Sequence, residues 1–289
     1  MVFLGQSPKE EATHFIKKRQ YQKAEVIMQN YVKIYPQDWE AIELLGDAYG
    51  YQEKWDNAIL HYKRLVELDK SNANYHYKYG GALALKAQSV SKIRALGLIR
   101  DIKRAFLTAI KLDVKHIDAR WALVDLYITL PGIVGGSTKK ALQYTNELYA
   151  ISLVDGYLAK GYVYEYDNKP KLAEENYKKA IEIGSTMVSS TDTGLSQKTH
   201  KRNAIYYQLG KVSADYNLAL QQGERYLIQY IENHTSADGV PLEWAYYRLA
   251  QIYKHKSETN KALNYIDKAL ALRPDFKQAL QEKNRISSK

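Results

Sequence analysis

The chain has 289 residues, 45% of them hydrophobic and 26% charged, the make-up of an ordinary folded protein and not of a fibrous or disordered one. It carries 42 Lys and Arg against 32 Asp and Glu, a formal charge of +10, and no cysteine, which excludes disulfides, thiolate metal sites and a cysteine nucleophile. No apolar run reaches the length of a membrane-spanning helix.

The opening stretch, Met1 to Ser7, is a short apolar run ending in small residues. It reads either as the tail of a secretory signal or as an ordinary chain end, so the expected location is the cytoplasm or, after export, the periplasm. A repeat begins immediately after it. Ala24, Met28, Tyr31 and Pro36 share their spacing with Ala58, Tyr62, Leu65 and Lys70, and the two sets stand 34 residues apart. The same spacing returns at Ala173, Tyr177, Ala180 and Ser185, and at Ala262, Ile266, Ala269 and Pro274. Twelve residues before three of these alanines stands another small residue: Gly46 after Leu45, Gly161, and Ala250 after Leu249. Small residues at such an interval let two antiparallel helices approach, where a larger side chain costs about 1–3 kcal/mol in overpacking. The large residues are expected to fill the gap between one helical pair and the next, and proline to end the second helix.

Between the regular copies the pattern departs. After Tyr79-Gly80, the residues Phe106 and Ala109 come late, with Gln88 to Ser91 and Leu96-Gly97 as inserted material. After Tyr127 the chain reads Leu130-Pro131-Gly132-Ile133-Val134-Gly135-Gly136-Ser137, and a helix resumes at Ala141. Pro-Gly forces a turn, Gly135-Gly136 permits positive φ, and Ser137 is placed to cap the next helix. Gly135, Gly136 and Ser137, beside Lys139 and Lys140, are therefore a candidate anion-receiving loop as well as a plain turn. The G-x4-G-K-[ST] spacing of a P-loop is absent. A Ser- and Thr-rich connection, Ser185 to Thr199, is expected to hinge the chain, and a shortened copy follows around Leu209-Gly210 and Ala219. Phe276, Ala279, Leu280 and Lys283 then mark a final amphipathic helix.

These residues resemble the tetratricopeptide-repeat family over nearly the whole chain, whose period is about 34 residues. The resemblance implies an all-α, right-handed superhelical α-solenoid of about seven helix-turn-helix units. Their expected bounds are 5–38, 39–72, 73–116, 117–153, 154–187, 203–236 and 243–276, with a capping helix over 275–287. The P-G-I-V-G-G-S loop resembles one in bacterial exported repeat proteins, some associated with substrate-binding-protein-dependent transporters. In the family the first helix of each pair lines a concave groove. Matched to that register, the groove holds Glu43, Asp47, Tyr77, Trp121, Asp125, Tyr162, Glu165, Tyr207, Lys211, Trp244, Tyr247, Gln251 and Lys254. Acidic residues gather towards one end and lysines towards the other.

The expected function is a non-catalytic scaffold or adaptor that holds a peptide or helical segment, with Trp121, Tyr162, Tyr207 and Tyr247 as anchors. Packing of those rings on neighbouring helices is the competing expectation. The alternative function is an exported small-molecule carrier. Tyrosine outnumbers phenylalanine 26 to 4, which suits both half-buried packing and contact with a ligand. Chaperone-tail capture, which uses Lys and Asn at set first-helix positions, is set aside because Glu43, Asp47 and Tyr77 stand there. The seven histidines show no metal spacing, and no G-x-S-x-G elbow occurs, so neither catalysis nor a cofactor is expected. The basic clusters Lys17-Lys18-Arg19, Arg100 to Arg104 and Lys198 to Arg202 lack the pattern of an RNA-reading strand and head no helix-turn-helix. They are expected to be solvated surface, not a nucleic-acid site.

Overall fold

A computed structural model describes residues 7–189, 203–235 and 238–287. Within them the chain is helical throughout, with no strand. Fifteen α-helices follow one another: α1 (Pro8–Lys17), α2 (Tyr21–Ile34), α3 (Trp39–Gly50), α4 (Trp55–Leu68), α5 (Ala73–Ser89), α6 (Lys92–Leu112), α7 (Ile117–Thr129), α8 (Thr138–Ile151), α9 (Leu153–Tyr166), α10 (Pro170–Ser189), α11 (Ala204–Tyr216), α12 (Leu220–Glu232), α13 (Leu242–His255), α14 (Thr259–Leu272) and α15 (Lys277–Ser287). One turn of 3₁₀ helix, Gly132–Val134, lies between α7 and α8. The chain forms two compact units whose boundary in sequence falls inside α8, Met1–Tyr144 and Thr145–Lys289.

In each unit, consecutive helices pair as antiparallel hairpins and each hairpin packs on the next. The spacing of small residues explains the pairing. Ala24, Ala58, Ala173 and Ala262 are all fully buried. The facing glycines are equally constrained: a Cβ on Gly46 would stand 2.8 Å from Tyr62 Cε1, and one on Gly80 would stand 2.8 Å from Phe106 Cε1. Gly161 faces Tyr177 and Gly210 faces Leu227 in the same way. The large residue four positions after the alanine therefore fills its own hairpin. That corrects the expectation that it fills the gap between hairpins.

Three departures resolve differently from their sequence reading. The extra residues of the third hairpin form no loop; they lengthen α5 to 17 residues and α6 to 21, with the turn at Val90-Ser91. In the sixth hairpin Ala219 is the exposed residue before α12, at φ 41°, and Gly223 takes the close-approach position against Ser213. The final helix buries Phe276, Ala279 and Glu282, while Leu280 is 41% exposed. Most of Met1 to Ser7, most of the Ser- and Thr-rich connection, and the Lys198 to Arg202 cluster lie outside the described residues.

Candidate functional site

The first helices carry the side chains that the repeat register assigns to a binding face. In the first unit these helices are α1, α3, α5 and α7. Lys78 of α5 lies 2.7 Å from both Glu43 and Asp47 of α3, and Asp47 also accepts from the Tyr62 hydroxyl at 2.6 Å. Burial pulls the Lys78 ammonium down, but the two carboxylates outweigh it and hold the group above its ordinary value. The two acidic residues expected to charge this surface thus share one counter-charge from the next first helix. Tyr77 is half-buried, 5.1 Å from the His116 ring and 6.1 Å from Phe106. Trp121 is half-buried on α7 and Asp125 is exposed one turn later.

In the second unit the first helices are α9, α11, α13 and α15. Tyr162 is half-buried and meets Tyr166 edge to face at 6.4 Å, while Glu165 accepts from the Tyr177 hydroxyl at 2.7 Å. The remaining six assigned residues come together across α11 and α13. Lys211 pairs with Asp215 at 2.9 Å, and Asp215 also holds Arg248 of α13. Arg248 donates to Gln251 Oε1 at 2.8 Å, and its guanidinium lies 5.9 Å from the Trp244 ring and 5.5 Å from Tyr247. Gln251 donates to the Tyr247 hydroxyl at 3.4 Å, and Lys254 pairs with Glu282 of α15. Burial raises the Tyr207 phenol above its ordinary value, against the pull of Arg248 beside it.

Two of the expected anchors are not on an open surface. Tyr207 is 5% exposed against Tyr230, and Tyr247 is 9% exposed against Phe276. Both pack beneath the face, Tyr207 on the second helix α12 and Tyr247 on the residue that precedes α15. Trp244, Lys211 and Gln251 are half-buried and Lys254 is exposed. Arg248, Asp215 and Glu282 were missed in the sequence, although Arg248 lies one helical turn after Trp244 and Asp215 one turn after Lys211. Of the charges assigned to the face, Lys211 and Lys254 pair with Asp215 and Glu282, and Glu43 and Asp47 share Lys78.

At the loop before α8, Gly135 adopts φ 93° and Ser137 Oγ caps the helix by accepting from Lys140 N at 3.2 Å. The amides of Val134 and Gly136 both donate to Pro131 O, and Ser137 N donates to Tyr127 O at 2.8 Å. Lys103 donates to Gly135 O at 3.2 Å, and Lys103 and Lys140 stand 5.0 and 5.3 Å from the Tyr127 ring. Several of the loop's own amides are thus used inside the turn.

Five of the histidines serve the backbone. His61, His76, His234 and His255 each bond a main-chain carbonyl, and His116 Nδ1 accepts from Ala119 N to cap α7. Among the described residues no three His, Asp or Glu are grouped as a metal would require, and no helix is long and apolar enough to cross a membrane.

Comparison with known proteins agrees with this architecture. The family model described as TPR repeat matches residues 46–86, and that described as tetratricopeptide repeat matches 154–183 and 245–276. These matches and the fold together support a tetratricopeptide-repeat protein. Among solved structures, a tetratricopeptide repeat protein from Parabacteroides merdae is 14% identical over 98% of both chains, with a TM-score of 0.51. The Cut9–Hcn1 hetero-tetramer of the APC/C gives 15% identity and a TM-score of 0.53, over 96% of this chain and 48% of that one. A thermophilic TPR protein of Thermus thermophilus gives 17% identity and a TM-score of 0.50, over 61% of this chain and 89% of that one. No curated protein matches the chain in sequence. Proteins of this class are typically non-catalytic, and the fold is consistent with a protein-interaction scaffold.

Proposed function

We propose that the chain is a non-catalytic scaffold that holds a peptide or helical segment against its first helices. The observation that carries this reading is the joined surface of α11 and α13. Trp244 stands half-open there, with the Arg248 guanidinium 5.9 Å from its ring and held by Asp215 and Gln251. A rigid aromatic face with its neighbouring side chains already held in place loses little entropy when a partner is seated, and such Trp and Arg residues dominate binding energy. Tyr207 and Tyr247 support the surface from below. Lys211, Gln251 and Lys254 supply its polar edge, with Tyr77, Trp121, Asp125 and Tyr162 as the equivalent contacts on other first helices.

Selection of binders from a displayed random-peptide library with the purified chain tests this reading. Selected peptides should lose about tenfold or more in affinity on Trp244→Ala, with helicity unchanged. Peptides that bind the variant as tightly as the parent would remove the first-helix face from consideration. The small-molecule alternative is favoured by one feature, a cleft on a different face of the second unit.

A further inference from the structure

In the second unit α8, α9 and α10 enclose a cleft of about 370 Å³. It lies on the side of α9 formed by Tyr157, Lys160 and Tyr164, which at 100° per residue is roughly 140° round the helix from Tyr162 and Glu165. The cleft is thus separate from the first-helix face. Its floor is set by a close approach, since a Cβ on Gly156 would collide with the backbone of Tyr149.

The charge of the lining is one-sided. Lys160 and Lys179 are its ionisable cations, and no carboxylate side chain lines it. Neither lysine has an ion-pair partner among the described residues, although Lys178, next in sequence, pairs with Glu174 at 2.6 Å. Lys160 is half-buried and Lys179 exposed. The Lys179 ammonium lies 5.6 Å from the Tyr157 ring centroid.

The cleft also holds a pair of hydroxyls. The hydroxyls of Tyr149 and Tyr157 stand 3.2 Å apart, their rings edge to face at 5.1 Å. One hydroxyl donates to the other, which leaves the second proton of the pair for a ligand. The Tyr149 phenol is held above its ordinary value by that bond, against the pull of Lys179 and Lys160, so both ammonium groups act on the same hydroxyl pair. Asn176 Nδ2 donates to Leu172 O at 2.7 Å and leaves its side-chain carbonyl uncommitted.

We propose that this cleft binds an oxyanion, a carboxylate or phosphate group, between Lys160 and Lys179, with the Tyr149–Tyr157 pair as hydroxyl donor. The aromatic walls favour an anion carried on a planar or apolar body, and the volume is that of a small-ligand site. The same chemistry is offered by a free metabolite and by a phosphorylated side chain of a partner.

Calorimetric titration at constant ionic strength tests the assignment, with inorganic phosphate, citrate and a short phosphotyrosine peptide as probes and chloride as the reference. At least one probe should bind saturably at one site per chain. Lys160→Gln with Lys179→Gln should weaken it by about tenfold or more per lysine, and Lys178→Gln should leave it unchanged. Arginine at both positions should restore binding. Circular dichroism of each variant checks that helicity is intact; should the double variant lose it, Lys179→Gln alone, at an exposed position, carries the comparison. Uptake of phosphate or citrate points to a free ligand, and uptake of the peptide only in its phosphorylated form points to a partner's side chain. Absence of saturable binding by all three probes, or equal binding by the folded glutamine variants, would overturn the assignment.

Discussion

Adjacent glycines of α5 have opposite surroundings. A Cβ on Gly80 would lie 2.8 Å from Phe106 Cε1 and 3.0 Å from Ala105 Cβ, whereas a Cβ on Gly81 would meet nothing within 4 Å. Phe106 is 2% exposed and has nowhere to move. Gly80→Ala gains about 1 kcal/mol in helix propensity but incurs an overpacking cost of about 1–3 kcal/mol, so a net loss is expected. Gly81→Ala gains the propensity alone, about 0.5–1 kcal/mol. Urea unfolding midpoints of the two variants should therefore move in opposite directions. The small residue at the hairpin crossing was legible from its spacing with Ala58 and its counterparts. Its opposing partner was not, because a linear pattern does not say which neighbour a large side chain leans towards.

At the scale of the element, the hairpins share a turn that the sequence does not announce. Arg19, Glu53, Asn168 and Ser257 all adopt left-handed backbone, with φ between 55° and 61°, in the turn joining first to second helix. Of the four only Asn168 is a residue type suited to that conformation, so no glycine marked the position. The turn is kept because the helices on either side are locked by their buried faces. Glu53 is exposed and bonds through its backbone amide to Gly50 O at 3.0 Å. Glu53→Gly should relieve the left-handed strain and raise stability by roughly 0.5–1 kcal/mol in thermal or urea unfolding. An unchanged or lowered midpoint would show that the turn is not strained. Helix positions were readable wherever the period held. They were not readable where residues were added, because extra residues with good helix propensity lengthen α5 and α6 as readily as they could have formed a loop. Ala219 misled for a related reason: its identity matched the motif, but the close approach is made by Gly223.

For the whole molecule, the repeat identified the class of fold, and the register assigns the proposed face to the first helices. It did not identify which side chains are open. Tyr207 and Trp244 are both aromatic first-helix residues, yet Tyr207 is closed under Tyr230 while Trp244 is half-open beside Arg248. Charges were still harder to place from sequence. Lys78, Asp215 and Glu282 decide the local balance, and each acts across to a helix about 30 residues away. The +10 formal charge of the chain is consequently not a guide to the candidate face.

The claim that the first helices hold the partner is tested most directly by placing a photo-crosslinking amino acid at position 244 of α13 or at position 272 of α14 in the cells that make the protein. Residue 272, a leucine 49% exposed on a second helix, serves as the reference in the same unit. Crosslinks from 244 to a discrete partner peptide, abolished by Arg248→Ala, with none from 272, are the predicted result. Crosslinks from 272 alone would contradict the account.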